Sequence, residues 1–344
     1  MTTRIAINGF GRIGRAFFRI AAQRPEVELV AVNDLGDVEN LAYLLKYDTA
    51  QGVYNHNVKA HKGDENALEV DGKVTKFLSE KDPTKLPWGA LGVDVVVEST
   101  GIFDSYEKSK AHLDAGAKRV VISAPVKDDP PAGIRGATVL MGLNEGELGT
   151  CQITSNASCT TNAGSPLMQI LHETIGIQKA LLNTTHAYTA TQSIVDSPAK
   201  GDWRRGRAAA QNIAPSSTGA AIAVTKAIPD LIGKFDGVAM RVPVVSGSIA
   251  DITFLSKRPT SVEEVNTILR RAAGEERWKR VFTVTEEPLV SSDIIGSPFA
   301  SIADLAFTRV VDGDLVKVLA WYDNEMGYTH SLLEHVLKTA AHIS

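Results

Sequence analysis

Short apolar runs alternate with amphipathic stretches through the first half of the chain. The runs are rich in Val and Ile and lie at residues 4–10, 27–34, 93–100 and 118–125. The intervening stretches at 12–25, 39–50 and 105–117 have the spacing of helices that bury one face. Buried apolar strands that alternate with helices are typical of a parallel sheet covered on both sides. The pattern predicts an α/β fold with a doubly wound parallel sheet, interrupted at 55–80 by a smaller antiparallel insertion.

The pattern changes after about residue 158. A helical segment at 160–176 and a strand at 179–190 precede a long, irregular and basic loop at 191–217. A loop of this length in a compact domain is usually functional or disordered. Further strands are predicted at 235–245, 247–257 and 315–323, and further helices at 261–274 and 330–344. We therefore expect two domains that meet near residue 158.

Composition narrows the class of protein only slightly. The chain has 344 residues, of which 44% are hydrophobic and 22% charged, and its formal net charge is −4. These values suit a soluble enzyme and give no reason to expect nucleic acid as a main partner. The start of the chain does not resemble a secretory signal, no apolar run reaches the length of a membrane span, and there are only two cysteines. We expect a cytoplasmic protein without a membrane partner, and the absence of zinc-type motifs predicts no metal site.

Three glycines, Gly9, Gly11 and Gly14, follow the first predicted strand in G-x-G-x-x-G spacing, and a helix follows them. Asp34 ends the next strand, twenty residues after Gly14. This context is the fingerprint of a Rossmann-type dinucleotide site, in which the helix N-terminus receives the pyrophosphate. An acidic residue at this position bonds the ribose hydroxyls and repels a 2′-phosphate, which favours NAD over NADP. The alternative is a simple β-α-β turn with a surface aspartate.

Cys159 lies in the polar segment "SNASCTTN", directly before a helical stretch. Asn156, Ser158 or Thr160 could cap that helix. A thiol at a helix N-terminus has its thiolate favoured by the dipole and by free N–H groups, which could also hold an oxyanion. Cys159 is therefore a candidate nucleophile, whereas the alternative is a small buried hydrophobic residue. Cys151 is interpreted as structural.

A thiol nucleophile usually requires a base, and two histidines compete for that role. His186 ends a predicted strand beyond the helix that Cys159 opens, so a helix–turn–strand hairpin could return it to the thiol. His172 lies thirteen residues into the helix, which puts it about 20 Å from the helix start. The distance favours His186.

The dinucleotide fingerprint, the capped thiol and the downstream histidine together resemble the glyceraldehyde-3-phosphate dehydrogenases. The resemblance covers nearly the whole chain, through "INGFGRIGR", "VNDL", "LLKYD", "SNASCTTN", "TATQ", "STGAA", "MRVP" and "WYDNEMGY". It implies oxidation of D-glyceraldehyde 3-phosphate with NAD and inorganic phosphate, through a thiohemiacetal and a thioester on Cys159, with His186 as the base. It also implies an NAD-binding domain at 1–158 and an α+β catalytic domain with a mostly antiparallel sheet at 159–323. The C-terminal helix, 324–344, would pack on the first domain.

The resemblance extends to individual binding residues and to assembly. The implied cofactor-binding residues are Gly9, Gly11, Arg12, Ile13, Gly14, Asp34, Lys81, Ser123 and Asn324. The implied residues for the substrate phosphate and the attacking phosphate are Ser158, Thr160, Thr189, Arg204, Thr218, Gly219 and Arg241. The family also implies a homotetramer, with the basic loop lying between subunits.

Departures from the family pattern are few. Ala163 stands where a second cysteine is frequent, and Lys81 stands where arginine is usual. Two alternatives remain: an erythrose-4-phosphate dehydrogenase with the same thiol chemistry, and a non-catalytic NAD-binding redox sensor. Erythrose-4-phosphate dehydrogenases differ in the "HAYTATQ" and "WYDNE" segments, both of which are intact here, and a sensor does not need the phosphate-binding residues.

Overall fold

The computed structural model describes residues 2–343, which divide into two compact units. The first unit comprises residues 2–139, 145–157 and 332–343, and the second unit comprises residues 140–144 and 158–331. Each unit has its own β-sheet.

Among the described residues, nine strands form the sheet of the first unit. They are β1 (Thr3–Asn8), β2 (Val27–Asn33), β3 (Val58–His61), β4 (Ala67–Val70), β5 (Lys73–Leu78), β6 (Val95–Glu98), β7 (Arg119–Ile122), β8 (Gly136–Thr138) and β9 (Ile153–Ser155). Their order is β3-β4-β5-β2-β1-β6-β7-β9-β8. The strands from β5 to β8 in that order are parallel, and β3, β4 and β5 pair antiparallel. Its helices include α1 (Arg12–Ala21), α2 (Val38–Lys46) and α3 (Tyr106–Asp114). The predicted parallel sheet and its antiparallel insertion are confirmed.

The central strands of this sheet are buried on both faces. Val95, Val96 and Val97 in β6 are each fully buried, which explains why the sequence there is apolar without alternation. Val96 packs against Trp88 and Val120 in one apolar cluster. Burial of each such side chain stabilises the fold by about 1.5–3 kcal/mol. The loops after β1, β2 and β6 consequently leave a rigid sheet at the carboxyl ends of these parallel strands. Ligands bind at these ends in open α/β folds.

In the described part of the second unit, seven strands form a mostly antiparallel sheet. They are β10 (Ile177–Ala187), β11 (Ala214–Ser217), β12 (Phe235–Val242), β13 (Ser248–Ser256), β14 (Phe282–Thr285), β15 (Ser301–Val311) and β16 (Leu315–Tyr322), in the order β11-β12-β10-β13-β16-β15-β14. Only the β10–β12 and β14–β15 pairs of these strands are parallel. The remaining helices are α4 (Cys159–Thr174), α5 (Ala220–Ala227), α6 (Val262–Ala273) and α7 (Met326–Ala340). The α/β fold class with a second, mostly antiparallel sheet is confirmed.

Several elements differ from the sequence-based expectations, among them β11, α5 and β14, which were not predicted. The eleven-residue β15 was not predicted, because its buried first five residues, 301–305, read neither as an alternating pattern nor as a continuous apolar run. Helix α7 begins at Met326 rather than at 324, since the Asp323 carboxylate accepts the Glu325 N–H (2.8 Å) in a turn before the helix. Residues 326–331 of α7 belong to the second unit and residues 332–340 to the first.

Candidate active site

The three fingerprint glycines occupy positions with different steric demands. Gly9 has a φ of +96°, and a Cβ there would lie 2.5 Å from the Thr100 nitrogen. A Cβ on Gly14 would lie 2.1 Å from the Gly9 carbonyl oxygen, so the helix can approach the strand only without a side chain. A Cβ on Gly11 would meet nothing within 4 Å. Gly9 and Gly14 therefore serve the fold, whereas Gly11 keeps open the space in front of helix α1.

Helix α1 begins without a side-chain cap at Gly11, which suits a helix end that receives an anionic group. Asp34, directly after β2, is tied to this loop. Its Oδ2 accepts the Phe10 N–H (2.7 Å) and its Oδ1 accepts the Gly36 N–H (2.8 Å). Each carboxylate oxygen has a second acceptor site, so both can still bind a ribose hydroxyl. The residues present thus fit the pyrophosphate and ribose of a dinucleotide.

The other predicted cofactor residues are less uniform. The Arg12 guanidinium pairs with Asp48 (3.0 Å), and Ile13 is half-buried in the first turn of α1. Lys81 is exposed, and Ser123 follows β7 and is half-buried. Because the Arg12 side chain is engaged, a contact from Arg12 to a phosphate would come from its backbone N–H.

Asn324 is the one predicted cofactor residue in the second unit. It comes two residues after β16 ends and is only 7% exposed. Its Oδ1 accepts a hydrogen bond from the Ser248 hydroxyl (2.9 Å).

Cys159 is the first residue of helix α4, and Ser158 is the N-cap. Of the three candidate caps, Ser158 has the geometry, since its Oγ accepts the Thr161 N–H (3.1 Å). Cys159 is half-buried, and its Sγ lies 3.3 Å from Nε2 of His186. The structure therefore brings the predicted nucleophile and the predicted base together.

His186 is held by the register of the sheet. Strands β10 and β12 are parallel and place His186 opposite Arg241. Nη1 of Arg241 lies 2.6 Å from Nδ1 of His186 and donates to the Ala187 carbonyl oxygen (3.1 Å). That oxygen is also 2.6 Å from Nδ1. Nδ1 thus has two alternative partners, the Ala187 oxygen when it carries the proton and Arg241 when it does not.

The partner of Nδ1 decides what Nε2 can do. When Nδ1–H donates to Ala187, Nε2 is an acceptor for the thiol proton, as a base must be. When Nδ1 accepts from Arg241, Nε2 carries the proton and donates toward sulfur. His186 can therefore act as the base only in the first tautomer.

Burial is the main influence on the ionisation of this pair. Burial raises the pKa of the Cys159 thiol, although the Arg241 charge and the Thr160 N–H act to lower it. Burial, together with the charge of Arg241, lowers the pKa of His186 to about 3. The expectation that the helix end would favour a standing thiolate is thus opposed by desolvation, which disfavours both charged forms. The geometry instead suits proton transfer from sulfur to imidazole during the reaction.

The family resemblance implies Arg204 in the basic loop as a phosphate-binding residue. In the structure, however, the neighbouring Arg205 is the arginine that is linked to the predicted phosphate residue Thr189. Arg204 is exposed. Arg205 donates to the Thr191 hydroxyl (3.0 Å), which lies 2.9 Å from the hydroxyl of Thr189. Its charge also helps to lower the pKa of His186. The sequence "WRRGR" contains both arginines and carries no local signal that separates them.

The remaining predicted phosphate residues lie at helix starts. Thr218 and Gly219 precede α5, where the Thr218 hydroxyl accepts the Ala220 N–H (3.2 Å). The Thr160 hydroxyl lies 2.9 Å from the Tyr322 hydroxyl. Thr160 could therefore reach an anion only through its backbone N–H, unless the hydroxyl contact is given up.

His172, the competing histidine, lies in the last turn of α4. Its Nε2 is 3.4 Å from the Asp230 carboxylate, and its Nδ1 accepts the Ile177 N–H (3.3 Å). It is thus a structural residue at the far end of the helix.

Within residues 2–343, no group of three or more His, Cys, Asp or Glu side chains is placed to bind a metal ion. No helix in the same part of the chain is long and apolar enough to span a membrane.

Comparisons with known proteins agree along most of the chain. Residues 3–106 match the family described as glyceraldehyde 3-phosphate dehydrogenase, NAD binding domain, and residues 158–324 match its C-terminal domain. A glyceraldehyde-3-phosphate dehydrogenase of Streptomyces coelicolor is 47% identical over 337 residues, 97% of each chain. Proteins of the same name from Clostridium acetobutylicum, with 47% identity over 96% of each chain, and Borreliella burgdorferi, with 46% identity over 96% of this chain and 98% of its own, are similar.

Proposed function

We propose, since the chain belongs to the glyceraldehyde-3-phosphate dehydrogenase family, that it oxidises D-glyceraldehyde 3-phosphate with NAD and inorganic phosphate to 1,3-bisphosphoglycerate. The observation that carries the proposal is the 3.3 Å contact between Cys159 Sγ at the start of α4 and His186 Nε2. An aldehyde becomes a good hydride donor only after a nucleophile makes it tetrahedral, and this pair can supply that nucleophile.

In the first step, Cys159 Sγ attacks the aldehyde carbon and its proton passes to His186 Nε2. The Ala187 carbonyl oxygen, 2.6 Å from Nδ1, stabilises the imidazolium by accepting a hydrogen bond from Nδ1–H. Free N–H groups in the first turn of α4 stabilise the oxyanion of the thiohemiacetal. NAD, when bound, supplies the hydride acceptor that leaves a thioester on Cys159. In the last step an oxygen of inorganic phosphate attacks the thioester carbon, the C–S bond breaks, and the sulfur leaves as a thiolate that His186 can reprotonate.

Binding of the substrate phosphate would control which tautomer His186 adopts. We assign it to Arg241 and Thr189, and the attacking phosphate to Ser158, Thr160, Thr218, Gly219 and Arg205, with Arg205 in place of Arg204. A dianion that engages the Arg241 guanidinium removes it from Nδ1 of His186 and neutralises its charge. Of these two partners, the Ala187 oxygen then remains for Nδ1, which makes Nε2 the proton acceptor. Substrate binding would in this way select the tautomer that can act as a base.

The cofactor would be held by the fingerprint loop and by Asp34. Gly11 leaves open space at the uncapped start of α1 for the pyrophosphate. The Asp34 carboxylate would accept both ribose hydroxyls and repel a 2′-phosphate, which supports NAD over NADP. Ile13, Lys81 and Ser123 would complete the contacts.

We further propose a homo-oligomer, in agreement with the tetramer implied by the family. The second unit exposes a group of large apolar side chains around a groove of about 800 Å³. Leu181, Ile222 and Ile232 at this groove are 67%, 59% and 65% exposed. Apolar surface of this kind marks an interface, and a second copy of the chain would cover it. The two free cysteines support a reducing, cytoplasmic location.

The direct test is NADH formation from glyceraldehyde 3-phosphate and NAD, with and without inorganic phosphate or arsenate. We expect turnover that depends on phosphate and that is far slower with erythrose 4-phosphate. Cys159→Ser should abolish turnover while NAD binding remains measurable. Lack of phosphate-dependent turnover in the wild-type chain would contradict the proposal.

A further inference from the structure

The side chain of Asn324 is buried but only half of its amide is bonded within the protein. Oδ1 accepts from Ser248 (2.9 Å), whereas the second nearby hydroxyl, Ser246 Oγ at 3.5 Å, has its one proton directed to the Asp323 carboxylate (2.8 Å). Among residues 2–343, the structure records no acceptor for Nδ2 of Asn324, and this nitrogen is not sealed from solvent. An unpaired amide on a side chain that is 7% exposed indicates a ligand contact.

Ser248 is the residue that determines which end of this amide is free. It is 1% exposed at the start of β13, and the antiparallel pairing of β13 with β16 sets it opposite Tyr322, two residues before Asn324. Its Oγ accepts the Ala187 N–H (3.1 Å). A backbone N–H can only donate, and a serine hydroxyl has one proton, so that proton remains for Oδ1 of Asn324. A flipped amide would set Nδ2 against the hydroxyl and leave the serine proton without an acceptor.

We propose that Ser248 is a positioning residue that holds Asn324 as an obligate hydrogen-bond donor to the carboxamide oxygen of the bound nicotinamide. This inference rests on the proposed function, because the contact between Asn324 and the nicotinamide does. An amide free to flip would accept or donate, and would therefore bind the carboxamide in two orientations. If Ser248 fixes the Asn324 amide, the carboxamide can bind in only one orientation, because only the C=O oxygen of the ligand can accept from Nδ2.

The same serine also joins the cofactor residue to the strand that carries the base. Ala187 directly follows His186 at the end of β10, and β10, β13 and β16 are neighbours in the sheet. The hydrogen bonds from the Ala187 N–H to Ser248 and from Ser248 to Asn324 therefore fix the position of the Asn324 amide relative to the His186 imidazole. Loss of the Ser248 hydroxyl would remove this connection between Asn324 and β10.

The test compares the Kd of NAD with the Kd of ADP-ribose, which lacks the nicotinamide ring, by calorimetric titration of the full chain. We expect Ser248→Ala to raise the Kd of NAD about 5- to 10-fold, the usual effect of one lost hydrogen bond, and to leave the Kd of ADP-ribose unchanged. In an Asn324→Ala background, a further Ser248→Ala should leave the Kd of NAD unchanged, because the two residues act as one unit. Ser301→Ala is the matched control, since Ser301 is fully buried in the same sheet and its Oγ has no hydrogen-bond partner in the described structure.

Equal weakening of NAD and ADP-ribose binding by Ser248→Ala would overturn the proposal and indicate a purely structural role. An unchanged Kd for NAD would overturn it as well. Turnover of the wild-type chain with phosphate tests the proposed function separately. A chain that turns over but shows no selective effect on NAD would refute only the role of Ser248, and a selective effect without turnover would refute only the proposed reaction.

Discussion

The two units of the molecule form their functional surfaces by opposite means. In the first unit, the backbone itself forms the binding surface, and Gly9 and Gly14 are required because a Cβ would lie 2.5 Å and 2.1 Å from neighbouring backbone atoms. In the second unit, the surface consists of side chains that converge from α4, β10 and β12, as in the contact of Cys159 with His186. A backbone surface depends on a local motif, whereas a side-chain surface depends on the register of distant strands.

This difference has consequences for tolerance to substitution. Changes at Gly9 and Gly14 should affect stability first, because they disturb the packing of strand and helix. Changes at the catalytic pair should affect reactivity with little loss of stability, because a side chain of similar size can replace either residue in its packing.

The largest effect is expected at the base in the second unit. His186→Asn should reduce turnover by roughly two to four decades and slow the alkylation of Cys159 near neutral pH. The Kd of the variant for NAD should stay close to that of the wild type. The matched control is His172→Asn, since His172 lies at the other end of α4. Unchanged alkylation kinetics would remove His186 from its assigned role.

Two glycines of the first unit should separate stability from affinity. Gly14→Ala sets a Cβ 2.1 Å from a backbone oxygen and should lower the free energy of unfolding by about 3 kcal/mol. Gly11→Ala meets nothing within 4 Å and should leave the stability unchanged while weakening NAD binding, since it fills the space for the pyrophosphate. Thermal unfolding and NAD titration of both variants provide the comparison. Equal stability of the two variants would contradict the steric argument.

Each unit also buries one histidine with a strongly lowered pKa, and pH should reveal both. Burial lowers the pKa of His335 to about 3, as it does for His186. In the unfolded chain a histidine takes up a proton near pH 6.5, whereas the folded form does so only near pH 3. Stability should therefore be complete above pH 6.5 and fall as the pH decreases toward 3, by up to about 1.4 kcal/mol per pH unit for each histidine.

Substitution of His335 isolates its part of this acid sensitivity. His335 bonds Thr154 (2.7 Å) and Asn156 (3.1 Å), so His335→Gln should cost stability at pH 7. Between pH 6.5 and 5 the difference from wild type should shrink by about 1.6 kcal/mol, measured by urea unfolding. The exposed His342→Gln serves as the control. A difference that does not change with pH would show that His335 is not buried in its neutral form.

The smallest effect is expected at Asp34. Asp34→Ala should reduce the preference for NAD over NADP about tenfold, because it removes acceptors for the ribose and the repulsion of a 2′-phosphate. Asp34→Asn, which keeps an acceptor for the Phe10 N–H, separates the charge from the support of the loop. A ratio of the two Kd values that stays the same in both variants would count against Asp34 as the discriminating residue.

Most of the fold was predictable from the hydrophobic pattern of the sequence. The elements that were not predictable have physical causes. The parallel sheet was predictable because its strands are buried on both faces and read as continuous apolar runs. Strand β15 was not predicted because its buried first five residues, SIADL at 301–305, include Ser301 and Asp304 and so do not read as a continuous apolar run, although all five are buried. The fingerprint was readable because its glycines, turn and helix are consecutive.

The amino-acid sequence by itself determined the dinucleotide loop and the position of Cys159 at a helix start, because both depend on neighbours within a few residues. Only the tertiary structure decided the rest of the site. The thiol and His186 are 27 residues apart, His186 and Arg241 are 55 apart, and Ser248 and Asn324 are 76 apart. The choice between Arg204 and Arg205 and the orientation of the Asn324 amide likewise depend on sheet register and proton count, which no local pattern specifies.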